Sequence, residues 1–393
     1  MATEDQPKLS RYTALSREFT PNAPINRLTL FRGRLPQIFQ ISSAISQPGQ
    51  HVALYGDRGV GKTSLANLLT ALIETGGGDQ PRSTVKVNCT TQDGFRTIWT
   101  KVFREMGVEA PKEWDERAPD PDDIRWTLQR LPKPRILVLD EFDRVDDDET
   151  LSMTADVIKS LSDHQVTTKV VIVGVADSID QLIGEHESIQ RCLEEVNMPR
   201  MTSDEIHEII DGGLSAVKMK ASPGARVRLT KLSAGLPHYA HLLTLHAGQR
   251  VVMDDRSTVE TRDVEVAMNM AAEKHSLVRE YQTAIQSARK DTLYSRVLAA
   301  CALAETNRLG YFTPGAVRKP MSRIMGKPYD IPAFAPHLDA FTSVDRGSPL
   351  QKEGPERRYT YRFRNPLLQQ FAIITAMANG EIPEDYQAEL FSA

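Results

Sequence analysis

Residues 56–63, with the sequence GDRGVGKT, match in full the glycine-rich pattern GxxxxGK followed by Ser or Thr. Gly56, Gly59 and Gly61 would let backbone N–H groups converge on phosphate oxygens, next to the positive end of the helix that begins near Lys62. Lys62 would reach the β- and γ-phosphates, and the Thr63 hydroxyl would bind Mg²⁺. The expected nucleotide contacts are Gly56, Asp57, Arg58, Gly59, Val60, Gly61, Lys62, Thr63 and Ser64. A glycine-rich turn without function is the alternative, disfavoured because a predicted strand and helix flank the loop.

A second chemical signal is the apolar run 136–139, which ends in Asp140 and Glu141. Ligands of open parallel sheets bind at the carboxyl ends of strands, so both carboxylates would face the nucleotide. Asp140 would hold Mg²⁺ through water, and Glu141 would polarise the water that attacks ATP, making both Lys62 and Glu141 catalytic. Alone, such a run is also typical of a strand entering solvent; its pairing with the phosphate loop favours function. ATP and Mg²⁺ are therefore the predicted cofactors, and no transition-metal site is expected.

The elements that would position these residues can be predicted from apolar runs at 51–56, 84–89, 136–141, 169–175 and 195–200. The runs are rich in Val, Ile and Leu without strict alternation, which is typical of parallel strands covered on both faces. Helix-like stretches separate them. This alternation predicts an α/β fold built on a five-stranded parallel sheet.

After Pro199 the pattern becomes helical. Thr202 and Glu205 form a predicted capping box, Ser222 and Pro223 mark another helix start, and helical periodicity covers about 237–252 and 262–288. This stretch predicts a small all-helical domain.

A third unit is predicted from about residue 291. A helical pattern over 291–305 is followed by a helix start at Thr313, a short helix near 331–342 and two strands within 344–364. Tyr359, Tyr361 and Phe363 alternate with polar residues, so one face of the last strand should be core. Three helices followed by a β-hairpin are typical of a winged helix.

Composition limits the class of protein. The chain has 393 residues, 40% of them hydrophobic, and a net charge of −4, which predicts two or three globular domains and excludes a mostly disordered chain. No apolar run approaches the roughly 18 residues of a membrane span, and no secretory signal pattern begins the chain. Its three cysteines lie far apart, which disfavours a disulfide framework. We therefore expect a cytoplasmic protein without a membrane partner.

The predicted winged helix is more basic than the rest of the chain. Residues 290–370 hold 13 Lys and Arg and seven Asp and Glu, a balance of +6. This asymmetry favours an anionic partner, although such a balance is also typical of a solvated surface. With the predicted winged helix, the expected partner is double-stranded DNA held by its phosphates. The candidate DNA contacts are Arg318, Lys319, Arg323, Lys327, Arg358, Arg362 and Arg364. The predicted helix at 331–342 has no Lys or Arg, which argues against base reading by it, and protein docking stays open as an alternative.

The phosphate loop, the DE-type acidic strand, the helical domain and the winged helix, in this order, resemble the AAA+ ATPases, and within them the origin-recognition and archaeal Cdc6-type initiators. The resemblance covers about residues 28–373. It implies an N-terminal extension (1–27), an AAA+ domain (28–200), a helical lid (201–289), a winged helix (290–373) and a C-terminal tail (374–393). Related ATPases of transposition and phage defence share much of this layout.

The resemblance also implies roles for single residues. The segment 30-LFRGR-34 is similar to the family's adenine-side motif, with Gly33 and Arg34 at its core, although an ordinary basic turn is equally compatible. Asp177 stands where the family has its first sensor, usually Asn. Its carboxylate can orient water but would repel the γ-phosphate unless protonated or linked to Mg²⁺.

Two further residues correspond to family positions. Arg191 precedes the fifth predicted strand, where the family has the arginine finger that reaches a neighbouring subunit's nucleotide; an exposed helix arginine is the alternative. His238 replaces the second-sensor arginine and lacks its fixed charge and forked geometry; a surface histidine is the alternative.

These observations lead to a primary hypothesis and an alternative. The first is an ATP-binding and ATP-hydrolysing AAA+ switch that self-associates and assembles on double-stranded DNA, with slow turnover stimulated by DNA or a partner. The alternative is an ATPase or adaptor subunit of a transposition or phage-defence system, whose winged helix docks an effector protein.

Overall fold

The computed structural model describes residues 5–75, 83–183, 189–287, 292–307, 309–355 and 358–392. The chain divides into two compact units. The sheet unit is Ala23–Arg200, and the helical unit joins the residues up to Asn22, which include α1 (Asp5–Glu18), to the chain from Met201 onward. The predicted boundary between residues 289 and 290 lies outside the described ranges. Within those ranges, no helix combines the length and the apolar character needed to cross a membrane.

The sheet unit contains five parallel strands in the order β2-β3-β4-β1-β5, flanked by helices, which confirms the predicted α/β sandwich. Along the chain the elements are α2 (Leu35–Ser46), β1 (His51–Tyr55), α3 (Lys62–Thr75), β2 (Ser83–Asn88), α4 (Phe95–Glu105), α5 (Pro121–Gln129), β3 (Arg135–Asp140), α6 (Asp148–Asp163), β4 (Lys169–Gly174), α7 (Ile179–Ile183) and β5 (Leu193–Asn197). Every residue of β4 is buried, as expected for a strand covered on both faces.

The fifth strand begins two residues earlier than predicted. Leu193 and Val196 are the buried residues of β5, and the strand ends before Pro199, which lacks the N–H group that a strand ladder needs. Glu194 and Glu195 lie within this edge strand, and the charge of Glu194 interrupts the apolar pattern from which the start of the strand was predicted.

The helical unit begins its main part with α8 (Ser203–Ala216), β6 (Lys220–Ala221), α9 (Pro223–Ser233), α10 (Pro237–Met253), β7 (Thr258–Val259), α11 (Thr261–Lys274) and α12 (Val278–Ile285). The predicted capping box of Thr202 and Glu205 is present in α8. The helical periodicity predicted over 262–288 is present as two helices, α11 and α12, because the chain breaks at His275. The Nδ1 atom of His275 accepts a hydrogen bond from the Leu277 N–H at 3.0 Å, which competes with helical bonding.

The C-terminal part of this unit contains α13 (Tyr294–Ala302), α14 (Pro314–Met325), α15 (Ile331–Ala340), and the antiparallel strands β8 (Leu350–Glu353) and β9 (Thr360–Phe363). The predicted order of three helices and a hairpin is therefore present. Tyr361 and Phe363 are buried, so the aromatic face of the last strand is core, as expected.

Two helices follow the hairpin, α16 (Pro366–Ala378) and α17 (Glu384–Ser392). The tail predicted from residue 374 therefore starts inside α16, whose apolar side chains are mostly buried. Tyr239 of α10 donates a hydrogen bond to the Leu367 carbonyl at 2.5 Å, and Gln370 donates to the Leu232 carbonyl at 2.7 Å. These bonds join α16 to α9 and α10 within one unit.

The N-terminal helix α1 also packs in the helical unit. Leu15 and Phe19 are fully buried against α10 and α8. An added Cβ atom at Gly213 would lie 2.4 Å from the Phe19 ring, and one at Gly248 would lie 3.0 Å from Leu15. Leu15 and Phe19 thus anchor α1 and the turn that follows it in this unit.

Candidate nucleotide-binding site

The loop between β1 and α3 has the backbone that the glycine pattern predicted. Gly56, Gly59 and Gly61 have φ values of 142°, 85° and 100°, which lie in the region that favours glycine. An added Cβ atom at Gly56 would also lie 2.4 Å from the Met198 carbonyl oxygen. Because α3 begins at Lys62, the loop presents the free N–H groups of a helix N-terminus.

Lys62 is held beneath this loop. Its Nζ atom donates hydrogen bonds to the carbonyl oxygens of Gly56 and Asp57, both at 2.8 Å, and the residue is only 8% exposed. Burial lowers the pKa of Lys62 from 10.5 to about 8, although the carboxylates of Asp143, Asp57 and Asp140 act in the opposite direction. The loop therefore contains a buried ammonium group close to three acidic side chains.

Thr63 and Asp140 lie together at the carboxyl edge of the sheet. The Thr63 Oγ1 atom is 3.4 Å from Asp140 Oδ1, and that same oxygen accepts a hydrogen bond from the Glu141 N–H at 3.0 Å. Asp140 is 3% exposed. A hydroxyl and a carboxylate are the hard oxygen donors that Mg²⁺ prefers, with water and phosphate as its remaining ligands. The donor set fits this cofactor.

Glu141 follows Asp140 and turns away from the strand. Its φ of 56° is left-handed, and its side chain is half exposed. Arg144 Nη1 lies 2.9 Å from Glu141 Oε2. The residue that we expected to activate water is therefore ion-paired with an arginine three positions later.

The N-terminal segment of the sheet unit contacts the phosphate loop at two points. The Arg34 guanidinium is buried, with only 2% of the residue exposed, and it donates a hydrogen bond to the Val60 carbonyl at 2.9 Å. The Ile25 N–H donates to Ser64 Oγ at 3.0 Å. The structure thus brings Arg34 and Ser64 to the predicted nucleotide loop. Asp57 also lies beside Arg200, with 3.6 Å between Oδ2 and Nε, and Arg58 is exposed.

Asp177 lies just beyond β4, at the carboxyl edge of the sheet. Its backbone N–H donates to Gln181 Oε1 at 2.9 Å, so the turn after the strand is fixed from α7. In the same turn, Asp143 Oδ1 accepts a hydrogen bond from the Val175 N–H at 2.8 Å.

Asp143 and Lys86 are site residues that the sequence did not identify. Asp143 acts electrostatically on Lys62, and the run of acidic residues after β3 was the available signal. Lys86 Nζ lies 2.9 Å from Asp140 Oδ2. The signal for Lys86 was a lysine inside an otherwise apolar strand.

Arg191 lies at the opposite edge of the sheet from the phosphate loop. It precedes β5, whose Leu193 pairs with His51 at the start of the parallel strand β1, whereas the loop follows the end of β1. Its side chain is 70% exposed and forms an ion pair with Asp163. This position excludes a contact between Arg191 and the phosphate loop of its own chain.

His238 belongs to the helical unit, at the start of α10. Its Nδ1 atom lies 2.8 Å from the Pro21 carbonyl oxygen, and its Nε2 atom lies 2.7 Å from His275 Nε2. Burial lowers the pKa of His238. Both ring nitrogens of this candidate sensor are thus engaged by neighbours in its own unit.

Three candidate DNA contacts, on α14 and just after it, have neighbours within the same unit. Arg318 lies 2.9 Å from Asp330, and Arg323 pairs with Asp385 and Glu389 of α17. Lys327 lies over the Tyr329 ring, 6.0 Å from its centroid.

The remaining candidate contacts lie on α14 and around the hairpin. Arg362 stacks on Tyr311 with 4.9 Å to the ring centroid. Lys319, Arg358 and Arg364 are exposed, so the hairpin end presents basic side chains to solvent.

Comparisons with known proteins agree with this geometry. Residues 45–183 match the family described as the AAA domain. The ORC2 protein of Aeropyrum pernix, in complexes with ADPNP and ADP, is 15% identical, with a TM-score of 0.52 over 96% of this chain and 98% of that chain. The ORC1 protein of the same organism, in complex with DNA, is 14% identical, with a TM-score of 0.50 over 96% and 98%.

A Walker-type ATPase of Pyrococcus abyssi is 15% identical, with a TM-score of 0.52 over 89% of this chain and 98% of that chain. A comparison with curated protein sequences gives no match. At these identities the solved structures indicate fold alone, and the matched domain contains the phosphate loop, Asp140 and Glu141. Residues 45–183 therefore match the AAA domain, and the chain has the fold of the solved ORC1 and ORC2 proteins.

Proposed function

We propose that this protein binds ATP with Mg²⁺ and hydrolyses ATP slowly, as a molecular switch. The observation that carries the proposal is the convergence of Lys62, Thr63 and Asp140 at the carboxyl edge of the sheet. The solved ORC2 neighbour, whose complexes contain ADPNP and ADP, supports it.

Each group has a role that follows from its chemistry. The loop N–H groups and the Lys62 ammonium bind phosphate oxygens, and Thr63 and Asp140 hold Mg²⁺. When bound, Mg²⁺ supplies neutralisation of phosphate charge. Glu141 accepts a proton from the attacking water once its carboxylate leaves Arg144. Arg34 and Ser64 fix the N-terminal segment on the adenine side, and Asp177 orients water.

The protein self-associates in this proposal. Arg191 is exposed at the edge of the sheet away from its own phosphate loop, so it serves a neighbouring subunit's nucleotide. A finger arginine stabilises transition-state charge and typically contributes about 10³- to 10⁵-fold in rate.

The C-terminal part of the helical unit acts as a winged helix that holds double-stranded DNA. The exposed Lys319, Arg358 and Arg364 would neutralise phosphates, and α15 without Lys or Arg makes binding largely independent of sequence. The ORC1 neighbour, solved in complex with DNA, supports this assignment.

The test is steady-state ATP hydrolysis with and without duplex DNA, at low and near-physiological salt, with Glu141→Gln as the blank. DNA-stimulated turnover that decreases with salt would support the switch on DNA. Wild-type turnover no higher than the blank under every condition would overturn the ATPase assignment. It would favour the alternative of an adaptor, in which the nucleotide is mainly a structural ligand. Both ring nitrogens of His238, the candidate sensor, already have neighbours, which supports this alternative.

A further inference from the structure

An internal ammonium group faces the carboxylate that we assign to Mg²⁺. Lys86 lies on β2, at the edge of the sheet, and its Nζ atom is 2.9 Å from Asp140 Oδ2. Asn67 of α3 accepts a second hydrogen bond from the same Nζ atom at 3.0 Å. The side chain is 27% exposed. Asp140 and Asn67 together hold its ammonium group beside the predicted Mg²⁺ ligand.

The two oxygens of Asp140 therefore have different partners. Oδ1 lies near the Thr63 hydroxyl and accepts from the Glu141 N–H, whereas Oδ2 contacts Lys86. A carboxylate attracts a metal ion through its negative charge, and a cation already at 2.9 Å offsets that charge. Lys86 therefore competes with Mg²⁺ for electrostatic attraction to the Asp140 carboxylate.

The same ammonium adds to the positive charge available to phosphates. Lys62 precedes Thr63, whose hydroxyl lies 3.4 Å from Asp140, so both lysines lie near one acidic group. Phosphate oxygens that lack a metal ion need positive neighbours, and an ammonium group supplies a point charge that needs no metal. Lys86 can thus take over part of the neutralisation that Mg²⁺ provides.

We propose that Lys86 is a built-in counter-ion of the nucleotide site, which weakens Mg²⁺ binding and lets ATP bind with little dependence on Mg²⁺. This inference rests on the proposed function, because it concerns the same site. In this proposal Lys86 changes the electrostatic potential of the site and takes no direct part in bond breaking. Its effect is therefore measured as nucleotide affinity.

The experiment measures the affinity of a fluorescent ATP analogue for the full chain, in EDTA and across a Mg²⁺ titration. An opposite charge within about 4–6 Å changes the proton affinity of a carboxylate by about 10- to 1,000-fold, and we take the lower end for a partly exposed lysine. For Lys86→Met, the ratio of affinities with and without Mg²⁺ should rise by about tenfold over wild type. The half-saturating Mg²⁺ concentration should fall by a similar factor.

Matched variants separate charge from structure. Lys86→Arg keeps the charge and should behave as wild type, and Lys86→Gln keeps a donor for Asn67 if the methionine variant folds poorly. Lys101→Met removes a lysine of similar exposure, 25%, that pairs with Asp93, and should leave the ratio unchanged.

The outcomes distinguish the two proposals. Failure of the wild-type chain to bind the analogue, with or without Mg²⁺, would overturn the proposed function and this inference together. Wild-type binding that Lys62→Ala abolishes, together with an unchanged Mg²⁺ ratio in both Lys86→Met and Lys86→Gln, would overturn this inference alone.

Discussion

Replacement of Lys62 by methionine should stabilise the sheet unit in the absence of nucleotide while it abolishes ATP binding. Burial lowers the pKa of Lys62 from 10.5 to about 8, so the charged form is disfavoured in the folded chain. At about 1.4 kcal/mol for each pKa unit, this shift corresponds to about 3 kcal/mol of destabilisation at neutral pH. Loss of the donor to Gly56 and Asp57 would cost about 1–3 kcal/mol, so the net gain at pH 7 is about 0–2 kcal/mol.

The pH dependence isolates the charge from the lost hydrogen bonds. Because the pKa of Lys62 is lower in the folded than in the unfolded chain, the destabilisation is complete below pH 8 and decreases as the pH rises towards 10.5. Between pH 7 and about pH 9.5, wild type should gain about 2 kcal/mol relative to Lys62→Met. The other titrating groups are shared by both proteins and cancel in this difference.

Urea unfolding followed by tryptophan fluorescence is the assay. Trp99, Trp114 and Trp126 are the three tryptophans of the chain, and all lie in the sheet unit, so the signal reports on the unit that contains Lys62. The exposed Lys133 provides a control, Lys133→Met, for the removal of a lysine from the same unit. A gap between Lys62→Met and wild type that does not change with pH would refute the reasoning, because it would show that charging Lys62 does not destabilise the folded chain.

Three further substitutions test other features. Glu141→Gln should retain ATP affinity and lower single-turnover hydrolysis by about 10²- to 10⁴-fold, and hydrolysis at the wild-type rate would contradict the role of Glu141. Gly56→Ala should abolish nucleotide binding, because φ is 142° and the new Cβ atom would lie 2.4 Å from the Met198 carbonyl; wild-type affinity would contradict this. Gly213→Ala should lower stability by about 1–3 kcal/mol, since its Cβ atom would lie 2.4 Å from the Phe19 ring, and should make α1 sensitive to proteolysis; unchanged cleavage would count against that packing.

Gly94→Ala is the control for both glycine substitutions. The nearest atom to an added Cβ at Gly94 is Thr150 Oγ1 at 3.9 Å, and the φ of −91° suits any residue. This variant should bind nucleotide and resist proteolysis as wild type does.

The parts of the fold that local patterns determine could be predicted from the sequence. The sheet, the phosphate loop and the capping box at Thr202 depend on short stretches of residue types, and the structure contains all three. The break at His275 depends on one side-chain bond to the backbone, which competes with helix and leaves no periodic signal. The predicted domain end at residue 373 falls inside α16, whose burial comes from α11 and α13, which are distant in sequence.

In the nucleotide site, too, residues adjacent in the chain could be predicted, whereas contacts between residues distant in sequence could not. Gly56, Lys62 and Thr63 are adjacent in the chain, so their spacing specified the loop. The contact of Lys86 with Asp140 depends on the pairing of β2 with β3, which aligns Asn88 with Asp140. Sequence alone gave neither the order of the strands nor their register.

The charge of the C-terminal region shows why a count of residues overstates a basic surface. The balance of +6 over residues 290–370 already subtracts the partners of Arg318 and Lys352, because Asp330 and Asp339 are among the seven acidic residues counted. Arg323 pairs with acidic residues of α17, which lie beyond the counted range and reduce the field further. Counterion release on DNA depends on the phosphates that a protein neutralises, and cations already paired release fewer. DNA binding should therefore depend on the exposed basic side chains around the hairpin more than on the net charge of residues 290–370.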